Sequence, residues 1–431
     1  MTDTTITRVQ GRRVWDSRGR PTVEVEVQLA AGAMGRAIAP AGASRGSNEA
    51  VDLRDGGTVF GGMGVSTAVA HVNDEISAVL IGRNALLQSE IDNDLIQLDG
   101  TPGKSRLGGN AMIAASMAVL HAAAGAHRVP LYAYLAQGKR VRLPLPEIQI
   151  FGGGAHAGRR VDIQDFMVMA LGAPSFDDAV EMTAEVYRAA GELMKEAGKL
   201  RGVADEGGFW PAFDSNEEAL TMLMRAIEHA GYRPGEDIGI SLDVAASEFG
   251  RNGRYRLGLE SRELDSDDLC EMLLGWLARY PIVSIEDPLA EDDPEGMKEF
   301  TTAAGNRVQI IGDDFLVTNS ARVTSAAAAG ACNAVLIKPN QAGTITETKA
   351  ALDAGKSAGW GTIVSARSGE TEDVTIVHLA VGWDAGQLKV GSFARSERMA
   401  KWNEALRIEE ALGASAVFAG RAVLPGQQGR E

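Results

Sequence analysis

At six places in the second half of the chain, a short apolar segment ends in a charged or polar residue. The places are Asp243, Glu286, Asp313, Lys338, the run that begins at Ala366, and Lys389. The successive steps are 43, 27, 25, 28 and 23 residues, and four of the five match one strand-plus-helix unit. Strand ends of a parallel barrel meet at one rim, where barrel enzymes have their active sites. The spacing therefore predicts a charged site at the C-terminal face of a barrel.

The first three of these residues are carboxylates with no balancing cation among them. Asp243, Glu286 and Asp313 would repel one another strongly in a low-dielectric site. A divalent cation removes the repulsion, and a set of oxygen ligands selects Mg²⁺. The alternative is structural: each acid pairs with a nearby arginine or caps the following helix. The spacing of all three favours the metal site.

Two lysines at strand ends suggest proton chemistry. Apolar walls and nearby cations lower the pKa of a buried lysine, so Lys338 or Lys389 is a candidate general base. Opposite a Mg²⁺ that binds a substrate carboxylate, such a base would remove the proton next to that carboxylate. For either lysine alone, a structural ion pair remains the alternative.

The surrounding pattern predicts two domains. Residues 1–138 begin with period-two alternation and continue with helical periodicity, which indicates an α+β capping domain with a three-stranded meander. Residues 139–431 alternate short apolar strands with helices and are long enough for a (β/α)₈ barrel of about 250 residues. Four of these helices are expected to begin at Ser320, Ile345, Glu372 and Ser396. A doubly wound sheet is the competing fold, but no GxGxxG follows the first strand. The predicted class is therefore α/β, a capping domain followed by a barrel.

Composition excludes several classes of function. The 431 residues carry a net charge of −16, which disfavours nucleic acid or an anionic membrane as a partner but allows a local pocket for a small anion. Two cysteines fit a reducing compartment, and the polar N-terminus shows neither a signal peptide nor a membrane span, so we expect a cytoplasmic protein. Six scattered histidines make a zinc site improbable.

Several long segments resemble the enolase family over nearly the whole chain, from about Arg8 to Gly420. They are WDSRGRPTVEVEV, LDGTPGKSRLGGNA, DEGGF, LDVAASEF, YPIVSIEDP, GDDFLVTN, SGETED and RSERMAKWN. The resemblance implies a Mg²⁺-dependent lyase with two ions per site, a small multiply anionic substrate, and a homodimer or larger homo-oligomer.

The resemblance also implies roles for matching residues. Asp243, Glu286 and Asp313 correspond to the ligands of the first Mg²⁺. Lys338 corresponds to the base that takes the C2 proton of 2-phosphoglycerate, and Lys389 to the lysine that binds the substrate carboxylate.

Further positions match the remaining contacts of the family. Glu206 corresponds to the acid that protonates the leaving hydroxide, and His156 to a histidine on a closing loop. Substrate contacts are implied for Gln164, Arg367, Ser368, Ala43 and Ser44, and Ser44 also for the second Mg²⁺.

The chain departs from the family pattern inside the site. Ala366 stands where the family has a histidine, and Asp165 where it has a catalytic-site glutamate. Arg45 replaces a threonine in the loop over the substrate, and Arg159–Arg160 follow the histidine loop. Ala366 would open space, and the arginines would add positive charge near the phosphate.

These departures favour a changed substrate over drift, because contacts in the transition state are worth a few kcal/mol each, about 3 by mutagenesis. The favoured hypothesis is a specialised relative that makes a phosphonate analogue of phosphoenolpyruvate, like the carboxyphosphonoenolpyruvate synthase of antibiotic biosynthesis. The alternatives are a glycolytic enolase and a non-catalytic binding protein. The last should have lost Lys338 or a metal ligand, and none is lost.

Overall fold

The computed structural model describes residues 3–44 and 46–425. It begins with an antiparallel sheet of three strands in the order β1-β2-β3, which confirms the predicted meander. The bounds are β1 Ile6–Trp15, β2 Pro21–Leu29 and β3 Met34–Ile38. The alternation of β2 and β3 places their valines and alanines in the core of this part of the chain.

Within the described residues 46–138, five α-helices follow the sheet. They are α1 Ser66–His71, α2 Ser77–Leu80, α3 Gln88–Asp99, α4 Gly109–His127 and α5 Leu131–Ala136, with a π-helical turn over Val72–Ile76. The alanine-rich α4 packs on β2 and β3 and is buried almost all round, as predicted. Gly35 of β3 touches the backbone of Ala118, so the missing side chain lets strand and helix approach closely. Helix α4 alone among the described helices is long and apolar enough to span a membrane, but it lies in the protein core.

Eight strands then close into a barrel in the order β10-β11-β12-β13-β14-β4-β5-β6. The strands are β4 Leu145–Gly152, β5 Asp165–Ala170, β6 Ile238–Asp243, β10 Ile282–Glu286, β11 Gln309–Gly312, β12 Ala334–Ile337, β13 Gly361–Ser365 and β14 Gly386–Gly391. The predicted barrel is thus confirmed, with one correction. Strand β5 runs antiparallel to β4 and β6, because residues 153–164 join β4 to β5 without the helix that a parallel crossover needs.

Nine helices, most of them surrounding the barrel, complete the described fold. They are α6 Phe176–Glu196, α7 Asn216–His229, α8 Ser266–Arg279, α9 Pro294–Ala304, α10 Ser320–Ala329, α11 Pro339–Ala342, α12 Ile345–Ser357, α13 Thr375–Gly382 and α14 Ser396–Leu412. Serine, threonine, aspartate or asparagine side chains cap the N-termini of six of them. The residue at which each of these helices begins is therefore determined by the local sequence.

A small sheet interrupts the regular alternation after β6. Its strands are β7 Gly250–Arg251, β8 Arg254–Leu257 and β9 Arg262–Asp265. This insertion accounts for the one long step, of 43 residues, between Asp243 and Glu286. The domain boundary at residues 138/139 stays a prediction.

Candidate active site

The three predicted metal-binding acids lie side by side at the rim of the barrel. Asp243 ends β6, Glu286 ends β10, and Asp313 directly follows β11, and these strands are neighbours in the sheet. Asp243 and Glu286 are register partners. All three side chains are buried. The spacing in the sequence thus placed them correctly at one edge.

Two lysines balance these acids, contrary to the expectation that no cation lies among them. Lys389 Nζ lies 2.9 Å from Asp243 Oδ2 and 2.7 Å from Glu286 Oε2. Lys338, directly after β12, donates a hydrogen bond to Asp313 Oδ2. Lys389 lies on β14, across the barrel from the acids, and Lys338 follows β12, the neighbour of β11. The closed sheet thus brings together charges that are far apart in sequence.

The predicted lowering of the lysine pKa values is also wrong. Burial lowers the pKa of Lys338, but the charge of Asp313 outweighs it and the pKa is raised above its ordinary value. The pKa of Lys389 is raised in the same way, because Asp243 and Glu286 outweigh its burial. Apolar walls alone would have had the opposite effect.

The donor set nevertheless fits a hard divalent cation. It consists of carboxylate oxygens, and Glu286 Oε1 is buried without a hydrogen-bond partner. Asp313 Oδ1 accepts a hydrogen bond of 2.9 Å from Gln341 Nε2, which orients this carboxylate. Asp243, Glu286 and Asp313 are therefore the residues that would hold Mg²⁺.

Among the described residues, two groups bring possible ligand atoms within 4.8 Å of one another, and the set of Asp243, Glu286 and Asp313 is not one of them. One consists of Asp287, Asp313 and Asp314, but Asp287 accepts the backbone N–H groups of Asp313 and Asp314 at 2.9 and 2.7 Å. Its carboxylate therefore shapes the loop after β11. The other group is His156, Asp165 and Glu206.

This second group forms a different wall of the cavity. His156 Nδ1 lies 3.1 Å from Asp165 Oδ1, and His156 Nε2 lies 3.8 Å from Glu206 Oε1. Burial lowers the pKa of His156, but Glu206 and Asp165 outweigh it and raise the pKa to about 9. Burial raises the pKa of Asp165, and His156 outweighs it, so the net shift is downward. An imidazolium between two carboxylates results.

The loops that carry this group are fixed to the barrel. Phe209 donates its backbone N–H to Ile150 O at 2.8 Å, which ties the loop of Glu206 to β4. Gln149 of β4 donates to Asp165 and accepts from Gly208 N at 2.9 Å. Gln164 Nε2 reaches Asp243 Oδ2 at 3.1 Å, and so joins this wall to the acids of the rim.

The predicted phosphate side is built from Arg367 and Ser368 after β13. Ser368 Oγ accepts from Ala43 N at 3.2 Å and lies 3.1 Å from His156 Nε2. Arg367 Nη2 donates to Ser44 O at 2.9 Å. The loop predicted to cover the substrate therefore packs directly on the two residues predicted to bind its phosphate.

Most of these side chains line one small polar cavity. The predicted site residues that line it are Ser44, His156, Gln164, Asp165, Glu206, Asp243, Lys338, Ala366, Arg367, Ser368 and Lys389. Glu286 and Asp313 lie buried behind the lysines, and Ala43 touches Ser368.

The arginines expected to add charge near the phosphate have other positions. Arg159 pairs with Glu248 at 2.8 Å and is largely exposed, and Arg160 lies 3.6 Å from Asp214. Neither lines the cavity. That expectation is wrong for both, because surface acids close to them in the fold hold their side chains. The corresponding prediction for Arg45 falls outside the described residues.

The sequence interpretation missed three residues of the site. Glu49 pairs with Arg367, with Nη1 to Oε2 at 2.9 Å, and Arg398 donates to the backbone carbonyls of Arg367 and Ser368. Glu147 lies fully buried below Lys389. For Arg398 a signal existed, since it lies within the RSERMAKWN segment, but Glu49 and Glu147 have no distinguishing spacing.

Comparison with known proteins agrees with this arrangement. The model of the enolase N-terminal domain matches residues 6–135, and that of the enolase C-terminal TIM barrel domain matches residues 140–426. The chain is also 52% identical over 421 residues to a protein named Enolase 1 from Desulfitobacterium hafniense (strain Y51). This alignment covers 97% of the chain and 96% of that protein.

Proposed function

The chain belongs to the enolase family, a family of lyases, and we propose that it interconverts 2-phosphoglycerate and phosphoenolpyruvate with Mg²⁺ as cofactor. The observation that carries the proposal is the division of one cavity into two walls. Lys338, Lys389 and the strand-end acids form one wall, and Glu206 with His156 and Asp165 forms the other. A base and an acid are thus available to opposite ends of one elimination. The name of the relative from Desulfitobacterium supports the same activity.

In this proposal Lys338 acts as a neutral amine and takes the proton next to the substrate carboxylate. Asp313 holds the pKa of Lys338 high, and sharing the charge of Asp313 with a divalent cation would lower that pKa, so that the ammonium first loses its proton to solvent. Lys389 binds the substrate carboxylate as a fixed positive charge. Arg367 and Ser368 bind the phosphate, for which the guanidinium fork is suited. Mg²⁺ bound to Asp243, Glu286 and Asp313 would neutralise the charge that develops on the substrate carboxylate.

The opposite wall serves the leaving group. Glu206 passes to the departing hydroxide a proton that the His156 imidazolium supplies, so water leaves and the imidazole becomes neutral; His156 lies 3.8 Å from Glu206 and 3.1 Å from Asp165. Gln164 contributes a neutral amide to the substrate, and Ser44 lies on the loop that covers it. Closure of that loop would exclude water from the reacting groups. Assembly as a homodimer or larger oligomer remains a prediction.

A second candidate function rests on Ala366. Its methyl group lines the cavity next to Arg367, where the family motif has a histidine. A phosphonate analogue of the substrate with an additional carboxylate would fill the space left by the imidazole. Arg159 and Arg160, which were expected to support this function, lie outside the cavity, and so phosphoenolpyruvate formation remains the better-supported reaction.

The ultraviolet absorbance of phosphoenolpyruvate distinguishes the two candidates. The protein is incubated with 2-phosphoglycerate and Mg²⁺, with a chelator-treated sample as the control. We expect turnover at an ordinary enolase rate that the chelator abolishes. Slow or absent turnover, with product appearing only after a phosphonoformate donor is added, would overturn the proposal in favour of the second candidate. An Ala366→His variant that then gains hydratase activity would assign the difference to this position.

A further inference from the structure

Glu147 of β4 is a buried acid that the proposed reaction does not use. Its side chain has no solvent exposure. Oε2 accepts a hydrogen bond of 3.2 Å from Ser241 Oγ of β6, and Oε1 has no hydrogen-bond partner. Because β5 separates β4 from β6 in the sheet, this contact crosses the inside of the barrel. Glu147 therefore lies in the barrel interior, one layer below the acids of the rim.

The register of the sheet brings Glu147 close to Lys389. Strands β14 and β4 are neighbours, and Lys389 and Glu147 are register partners. Side chains of paired residues in parallel strands project to the same side of the sheet. The Lys389 ammonium thus has acids on two sides, Asp243 and Glu286 at the rim and Glu147 below.

The electrostatics of Glu147 depend on this lysine. Burial raises the pKa of Glu147 to about 7, while the charge of Lys389 and the hydrogen bond from Ser241 lower it. Asp243 of β6 and Asp165 of β5 raise it further by like-charge repulsion. Close to neutral pH the carboxyl is thus partly ionised, and small changes in its surroundings change its charge.

We propose that Glu147 is a positioning residue for Lys389: its buried carboxylate balances the ammonium from below, so that the carboxylates of Asp243 and Glu286 are available to a divalent cation. Asp165 Oδ2 also lies 3.5 Å from Lys389 Nζ, but this carboxylate is already paired with His156 at 3.1 Å. Without Glu147, the ammonium therefore depends more strongly on the two rim carboxylates that the cation also needs. Lysine and cation then compete for the same oxygens. The inference rests on the proposed function only through its metal site and holds for either candidate substrate.

The test uses Mn²⁺ as a paramagnetic probe of the full-length protein, with no substrate present. Free Mn²⁺ is measured by electron paramagnetic resonance for the wild type and for Glu147→Gln, which keeps the size of the side chain and removes its charge. At pH 8 we expect the variant to bind Mn²⁺ about tenfold more weakly, because the Lys389 ammonium then competes with the cation for Asp243 and Glu286. Thermal denaturation of both proteins verifies that the variant folds.

The pH dependence separates a role of the charge from a role in packing. Glu147 loses its charge in the wild type as the pH falls below about 7, so the two dissociation constants should converge by pH 6. A packing defect would give the same difference at every pH. Either that result or identical constants at all pH values overturns the proposal.

A matched pair of serine variants gives an independent measurement if Glu147→Gln folds poorly. Ser241→Ala removes the hydrogen bond to Glu147, so the rise in Mn²⁺ affinity should move to higher pH. Ser284→Ala is the matched control, because Ser284 precedes Glu286 by two residues just as Ser241 precedes Asp243. It removes a hydroxyl that contacts Gln309 and not Glu147. It should leave the wild-type profile unchanged, and equal profiles for the two variants contradict the proposal. A wild type that binds no Mn²⁺ overturns the proposed metal site, which the other outcomes leave intact.

Discussion

Two of the regions that contain buried carboxylates differ in their surroundings. Between the capping domain and the barrel, Asp92 accepts hydrogen bonds from Ser116 Oγ at 2.6 Å and from the backbone and side chain of Thr346 at 2.8 and 2.6 Å. At the rim of the barrel, Glu286 has one oxygen without a hydrogen-bond partner and depends on an ammonium for the other.

The difference separates structural acids from acids kept for a ligand. A buried polar group without a partner costs about 1–3 kcal/mol, so folding alone favours the arrangement around Asp92. The rim instead concentrates acids and lysines that balance only as a set. Such an arrangement is expected where charged ligands bind, and four variants or conditions test whether the two regions differ as proposed.

The largest effect is expected at the rim, for Lys338→Ala. Loss of the base should lower turnover of 2-phosphoglycerate by about 10³-fold. The melting temperature should fall as well, because buried Asp313 loses its ion-pair partner. Initial rates at saturating Mg²⁺ and thermal denaturation measure the two effects. A variant with full activity would show that another group takes the proton.

Glu286→Gln tests the partnerless carboxylate directly. Replacing one of three charged carboxylates with a neutral amide should weaken Mn²⁺ binding by about 100-fold or more. Lys389 retains Asp243 as a partner, so the fold should persist. Mn²⁺ titration followed by electron paramagnetic resonance gives the dissociation constant. Unchanged affinity would remove Glu286 from the ligand set.

Sequence pattern alone predicts much of this architecture. Helices begin at Ser320, Ile345 and Ser396 as the pattern indicates, because capping and apolar periodicity are local signals. The helix expected from Glu372 begins instead at Thr375. The direction of β5 was not predictable, since an apolar strand reads the same in either orientation and only the connection reveals it.

The positions of site residues at strand ends were predictable from the sequence. Properties that depend on partners far away in the sequence were not. Asp243, Glu286 and Asp313 follow from spacing. The pKa of Lys338, by contrast, depends on Asp313 across a neighbouring strand, and a rule based on burial gave the wrong direction. Glu49 and Glu147 belong to the site only because Arg367 and Lys389, far away in the sequence, lie next to them in the fold.

The junction provides the converse test, with Asp92→Ala. Hydrogen-bond donors of Ser116 and Thr346 would lose their acceptor, so we expect a loss of about 3 kcal/mol in stability. Activity per folded molecule should be unchanged, because Asp92 does not line the cavity. Chemical denaturation and rates at low temperature measure the two effects. A variant that is stable but inactive would contradict the assignment of a purely structural role to Asp92.

The smallest effect concerns His156 and pH, measured in protein freed of divalent cations. Its pKa in the folded protein is about 9 against an ordinary 6.5, so its ion pairs stabilise the fold fully below pH 6.5. That contribution is lost as the pH rises through about 9, and the melting temperature should fall by a few degrees over this range. His156→Gln should lack this part of the decline, whereas Asp92→Asn should keep it, since Asp92 is bonded to Ser116 and Thr346 and not to His156. Equal slopes for wild type and His156→Gln would mean that the imidazole stays neutral between Asp165 and Glu206. The rim would then resemble the junction, with partners joined by hydrogen bonds and no balance of charge to which a ligand could respond.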